Sequence, residues 1–330
     1  MARPDLRDFR SVLVVKPSSL GDIVHTLPAV HAIKAAYPHL TLRWIAKPEW
    51  LPLIDGSPDV DLAIPFPQRE FRGLAGAGRL ARWTRLWNST PREVPEMVLD
   101  FQGLLRSGLI SKTSGSSPII GLSDVREGAH RFYNHVVPVD AGAHAVDRYL
   151  EMPRWLGAEA KSVVFSLPTG LPWPYPLPKR FVVLHPYSRG AGKALPHSGL
   201  QAMCDALSPT PVVIVGVSRG APPLVGRHLT DLTNQTSLAE LIRLMRQATA
   251  VISVDSGPMH IAAAVNDATL GIHTWSDPRK VGPYNPAAWV WKAGRIARRQ
   301  EFLEAECQQT SAVTPDEARA IAQFALARWF

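Results

Sequence analysis

Along the chain, short apolar runs alternate with stretches whose apolar positions recur every three or four residues. This is the pattern of strands and helices wound into parallel sheets. The first predicted strand is 12–15, followed by a helix over 22–36. Strands are expected at 42–46, 60–64 and 97–101, then a helix from about Leu104 and another over 145–156. Residues 167–179, LPTGLPWPYPLPK, carry five prolines. Neither a helix nor a central strand accommodates them, so the segment reads as a stiff extended linker. The alternation then resumes, with strands at 181–184, 212–215 and 251–254 and helices at 196–207 and 237–247. Thr314-Pro315-Asp316-Glu317 provides a cap, a proline at the first helical position and acids in the first turn, opening a last helix through Trp329.

The predicted fold class is therefore α/β, with two Rossmann-like, doubly wound domains facing across a cleft. The expected division is 1–170, 171–312, and a terminal helix at 313–330 packing back on the first domain. Such sheets bind ligands outside the carboxyl ends of their strands.

Composition changes this picture in three ways. Thirty-six basic against 28 acidic residues give a formal charge of +8, which favours anionic partners such as nucleic acids, lipid head groups or small phosphorylated and carboxylated substrates. Cys204 and Cys307 are the only cysteines and lack metal-site spacing, so they read as inert thiols in a reducing compartment. No segment approaches the roughly 20 apolar residues of a membrane span, and the polar N-terminus lacks a signal-like apolar run. The expected location is cytoplasmic, with any membrane contact peripheral.

Two segments could carry chemistry. In the first, a strand runs into KPSSLGD, a small glycine-containing turn that opens a helix and suits anion binding. Asp22 there is either a helix cap or a catalytic group, and Lys16 either lines the crevice or is a solvated surface lysine. The turn is neither the dinucleotide G-x-G-x-x-G fingerprint nor a phosphate-binding P-loop, which argues against a nicotinamide dehydrogenase. In the second, 251–254 leads into Asp255-Ser256-Gly257 and a helix bearing His260. Its free amides and helix N-terminus can hold a diphosphate, and its carboxylate a sugar hydroxyl, although a simple helix cap has the same appearance.

In VLVVKPSSLGDIVHTLPAVHAIKAAYP (12–38), VLDFQGLLRSG (98–108), VREGAHRFYNHVV (125–137), VLHPYSRGAGKALP (183–196), VISVDSGPMHIAAA (251–264) and SDPRKVGPYNP (276–286), the chain resembles the ADP-heptose:lipopolysaccharide heptosyltransferases. These form glycosyltransferase family 9, of GT-B architecture, and the segments occur in the family's order. The resemblance implies an inverting transfer without a metal or other cofactor, from a nucleotide sugar, ADP-heptose, to the Kdo/heptose inner core of lipopolysaccharide. Asp22 matches the family base. Ser188, Lys193, Thr236, Asp255, Ser256, Gly257 and His260 are the implied donor-binding residues. Lys16, Ser18, Ser19, Arg69, Arg72, Arg106 and Arg126 are the implied acceptor-binding set. Arginine suits bidentate grips on the carboxylates and phosphates of such a glycolipid. Arg79, Arg82 and Arg85 add to the basic stretch, which reads equally as a solvated basic helix face.

The implied partners are a nucleotide sugar and an anionic glycolipid, with peripheral contact at the cytoplasmic face of the inner membrane and no nucleic acid. One departure concerns the donor. Family members often place a ribose-holding acid after the strand at 212–215, where this chain reads Gly216-Val217-Ser218-Arg219-Gly220. A family 9 transferase using another nucleotide sugar for a different envelope glycan is therefore the alternative. A noncatalytic basic nucleotide- or nucleic-acid-binding protein is a remote one, since no recognition helix, zinc module or RNA-binding sheet pattern is present.

Overall fold

In the computed structural model the described residues are 3–71, 75, 76, 78–80, 82, 83, 95–159, 161–190, 192–220 and 222–330. Two compact units divide the chain, Met1–Pro168 and Thr169–Phe330.

The first unit runs β1 (Ser11–Val15), α1 (Leu20–Ala36), β2 (Thr41–Ala46), β3 (Leu62–Pro65), β4 (Met97–Asp100), α2 (Leu105–Thr113), β5 (Ile119–Leu122), β6 (His135–Val137) and α3 (Ala145–Trp155). Among the described residues its strands lie in the order β3-β2-β1-β4-β5-β6, and every pairing is parallel. β1, aliphatic from Val12 onward, is buried along its whole length, as a central parallel strand must be. β3 begins later than its apolar run suggests because Asp61 closes on Leu42. The Asp61 N–H donates to the Leu42 carbonyl at 2.9 Å, and the Leu42 N–H donates to Asp61 Oδ2 at 2.7 Å.

The chain leaves β1 toward β2 and returns on its other side as β4. The direction of winding therefore reverses between β1 and β4, where Val15 pairs with Asp100. A crevice outside the strand ends forms at such a reversal.

The second unit repeats the plan. Its elements are β7 (Val182–His185), α4 (His197–Leu207), β8 (Val212–Ile214), β9 (Leu229–Asp231), α5 (Leu238–Gln247), β10 (Ala250–Val254), α6 (Gly257–Val265), β11 (Thr269–His273), α7 (Pro278–Val281), β12 (Trp289–Lys292), β13 (Arg295–Ala297), α8 (Glu304–Gln308) and α9 (Pro315–Trp329). The order among the described residues is β13-β12-β11-β10-β7-β8-β9, parallel except for β13. Here the winding reverses between β7 and β10.

The final helix starts as its sequence predicts. Thr314 Oγ1 accepts from the Glu317 N–H at 3.3 Å, and Glu317 Oε2 accepts from the Thr314 N–H at 2.8 Å, a reciprocal cap. Its packing partner within the second unit is α4. Ala318, Ile321, Ala322 and Ala325 are fully buried in one core with Leu200, Met203 and Leu207 of α4. Their helical spacing makes a narrow small-residue stripe that lets the two helices approach closely. The helix is thus part of the core of the second unit. Among the described residues no helix is long and apolar enough to cross a membrane.

Candidate active site

At the first unit's reversal point the KPSSLGD turn leaves β1 and opens α1. Asp22 occupies the third position of that helix and Ser19 its cap. Asp22 Oδ2 accepts the Ser19 N–H at 2.9 Å and the Ser19 hydroxyl at 2.6 Å. The capping role is therefore present in the geometry. It does not exhaust the group, because an ionised carboxylate offers about four acceptor positions. Ser18 is tied across the reversal point, its N–H donating to Gln102 Oε1 at 3.2 Å.

The loop after β4 is itself anchored. Asp100 is fully buried, and its Oδ1 accepts the Gln102 and Gly103 N–H groups at 2.8 and 3.1 Å. Its Oδ2 accepts the Tyr133 hydroxyl at 2.9 Å. Burial pushes the Asp100 carboxyl above the usual carboxylate range, against the hydrogen bonds that favour its anion. Gly121 of β5 makes the tyrosine's approach possible, since a Cβ there would lie 2.0 Å from the Tyr133 ring.

Lys16 departs from expectation. It is buried, with Nζ donating to the Phe101 carbonyl and to the Tyr149 hydroxyl, each at 2.8 Å. Burial disfavours its ammonium, but Tyr149, Asp22 and Asp100 hold its pKa above the ordinary lysine value. The residue is a charged tie between β1, the β4 loop and α3, which sets aside its reading as a solvated surface lysine. Three neighbouring groups that favour its charge account for its burial.

The expected arginines are distributed. Arg106 at the start of α2 and Arg126 after β5 are exposed, and the Arg126 N–H donates to the Gly103 carbonyl at 2.8 Å, which ties its loop to the β4 loop. Arg69 is exposed in the turn Gln68–Phe71 after β3. Arg79 donates from Nε to the Glu70 carbonyl at 2.6 Å, and Arg82 is exposed. Arg72 and Arg85 lie outside the described residues.

At the second reversal point Asp255 follows β10 and is buried. Its Oδ2 accepts from Lys193 Nζ and from Ser276 Oγ, both at 2.6 Å. Burial works to raise this carboxyl, but His273, Lys193 and Ser276 together hold it down at about 2. Ser276 Oγ also lies 2.9 Å from His273 Nδ1. Because the serine hydrogen goes to Asp255, the ring must donate from Nδ1, which leaves Nε2 as the bare nitrogen. That Nε2 is buried without a hydrogen-bond partner, and burial pushes the ring down to about 4, so it is neutral near pH 7.

Ser256 caps α6 and Gly257 begins it. Ser256 Oγ sits 3.3 Å from Nδ1 of His185, a buried ring that ends β7 and is likewise held down to about 4. Gly216, at the end of β8, packs against that ring. Its φ of +121° and the 2.9 Å its Cβ would have to the imidazole both require glycine. Ser188 Oγ accepts the Gly190 N–H at 3.3 Å in the loop that carries Lys193. His260 is buried on α6, and Thr236 is half-buried just before the cap of α5.

The structure thus brings together Lys193, Asp255, Ser256 and Gly257 at one set of strand ends, and Asp22, Ser18 and Ser19 at the other. It adds Ser276, His273, His185 and Gln102, which sequence reasoning did not single out for roles. Ser276 lies inside one of the family-like segments, the only signal that could have pointed to it. Among the described residues no group of three or more His, Cys, Asp or Glu side chains could hold a metal ion.

Comparison with known proteins follows the same lines. The profile of glycosyltransferase family 9 (heptosyltransferase) matches residues 83–310. Lipopolysaccharide heptosyltransferase 1 of Pseudomonas aeruginosa is 28% identical over 295 residues, covering 83% of this chain and 81% of its own. The Salmonella typhimurium protein of the same name is 27% identical, covering 83% and 91%. In architecture the chain is similar to a family 9 glycosyl transferase from Veillonella parvula, with a TM-score of 0.75 at 16% identity and 99% of both chains covered. It is also similar to the E. coli heptosyltransferase WaaC with ADP, with a TM-score of 0.74 at 22% identity, covering 96% of this chain and 99% of that one.

Proposed function

The chain belongs to glycosyltransferase family 9, and from that membership we propose that it moves a heptose from ADP-heptose to the Kdo/heptose inner core of a lipopolysaccharide precursor. The reading is carried by two features, each at the reversal point of its own sheet: in the first unit an Asp22 carboxylate fixed by Ser19, and in the second a Lys193–Asp255–Ser276 cluster. In the proposed reaction the acceptor hydroxyl attacks the anomeric carbon opposite the diphosphate. Asp22 takes the hydroxyl proton as the new C–O bond forms. The bond to the diphosphate breaks and ADP departs, so the anomeric configuration inverts.

Charge developing on the leaving diphosphate is met by Lys193, Ser188, Ser256 and the amides at the start of α6. With these donors no metal is needed, and a chelator leaves the rate unchanged. Asp255, His260 and Thr236 complete the donor set. Ser18 and Ser19 stand beside the base, and the exposed Arg69, Arg106 and Arg126, with Arg72, grip the carboxylates and phosphates of the glycolipid. The enzyme works as a peripheral protein on the cytoplasmic face of the inner membrane.

A second reading, transfer of another nucleotide-linked sugar, is favoured by one feature. The loop after β8 carries no acid, and Asn234 closes it, its side chain bonding the Ser218 N–H and carbonyl at 3.0 and 2.8 Å. Purified protein incubated with a Kdo-bearing lipid A precursor and a panel of nucleotide sugars separates the two readings. The expected result is a heptosylated product from ADP-heptose by mass spectrometry. Turnover with a UDP-sugar and none with ADP-heptose overturns the heptosyl assignment.

A further inference from the structure

Trp275 stands two residues past the end of β11, the strand beside β10, and 48% of its surface is exposed. An indole left about half exposed keeps a large apolar face in water, and core packing does not explain that face. It is nevertheless held in position. Lys193 Nζ lies 4.4 Å from its ring centroid while pairing with Asp255. The adjoining Ser276 donates to the same carboxylate oxygen and is steadied by His273 on the other side. The ring is thus fastened to the cluster that faces the diphosphate in the donor reading, on which this inference rests.

The winding of the sheet says which part of the donor it meets. With the diphosphate at the β7/β10 reversal point, the nucleoside of a doubly wound domain turns toward the next strand of the first half, here β8. The sugar then extends to the other side, over the ends of β10 and β11. A pyranose ring has one face of axial C–H groups and a rim of hydroxyls. The C–H face suits an indole plane, and the rim suits Asp255. We propose that Trp275 is the stacking platform for the sugar being transferred and a determinant of which sugar ring the enzyme accepts.

The test measures Kd for ADP and for ADP-heptose by calorimetry, with steady-state kinetics, in wild type, Trp275→Ala and Trp275→Phe. Folding is checked by circular dichroism. The expected result for Trp275→Ala is an ADP affinity within about twofold of wild type, with ADP-heptose affinity down about tenfold and KM up correspondingly, the effect of exposing roughly 50 Å² of apolar contact. Trp275→Phe should restore most of the loss. Equal weakening of ADP and ADP-heptose overturns the proposal, because Trp275 then only positions Lys193. Unchanged affinity for both also overturns it. If wild type turns over a different nucleotide sugar, the donor assignment fails by itself. The same comparison with that sugar and its parent diphosphate still decides the role of Trp275.

Discussion

Replacing Asp22 by Asn separates the two roles its position allows. The asparagine keeps a side-chain oxygen that can accept the Ser19 N–H, now made at 2.9 Å, so the cap persists while the charge and the base are lost. Loss of a carboxylate near a helix N-terminus costs about 0.3–1 kcal/mol. For units of this size that lowers Tm by about 1–4 °C. Loss of a general base lowers turnover about 10²–10⁴-fold, which at about 1.36 kcal/mol per decade is about 2.7–5.4 kcal/mol of transition-state stabilisation. The second effect is several times the first and appears in a different assay. Thermal unfolding and ADP calorimetry should therefore change little, while product formation from ADP-heptose and a Kdo-bearing lipid A precursor falls at least about 100-fold in kcat. Turnover within about threefold of wild type, alongside the small loss of Tm, would show that Asp22 is a cap and nothing more.

Lys193→Ala removes the cation paired with Asp255 at 2.6 Å. ADP affinity should fall about 10- to 100-fold, the value of one charge-assisted hydrogen bond, as read by calorimetry; an unchanged Kd takes Lys193 out of the diphosphate site. Acid should weaken the second unit in two windows. His185 and His273 are held down to about 4 by burial, whereas an unfolded ring takes its proton near 6.5. The unfolded state therefore binds more protons between these values, and stability drops as pH falls from about 6.5 to about 4, by about 3 kcal/mol per ring. Asp255, lowered to about 2, gives stability that is present above its unfolded value near 3.9 and lost as pH falls through 2. Denaturant melts at pH 7.5, 6, 5 and 4 measure the first window, and a flat stability across it contradicts neutral burial of the two rings.

The sequence by itself determined the doubly wound class, the turns at both reversal points and most of the central elements. It did so because short, β-branched-rich apolar runs such as 12–15 and 251–254, each followed by a Ser/Gly turn, read as buried central strands. Caps such as Thr314 to Glu317 are complete within four residues, so local physics decides them. Shorter strands, including β5, β6, β9 and β12, were not legible. They span three or four residues without alternation, and only pairing with a neighbouring strand makes them strands.

What the tertiary structure decided is which polar groups share a site. Lys16 reads as a crevice lysine until α3 brings the Tyr149 hydroxyl to it. The terminal helix has a usable apolar stripe, but nothing in that stripe says which neighbour matches it. Ser276 and Asp255 are 21 positions apart and meet because β10 and β11 are parallel neighbours. Local sequence fixes where a chain turns and what caps the turn. Long-range pairing fixes which buried charge finds its partner, and chemistry at these strand ends depends on that second choice.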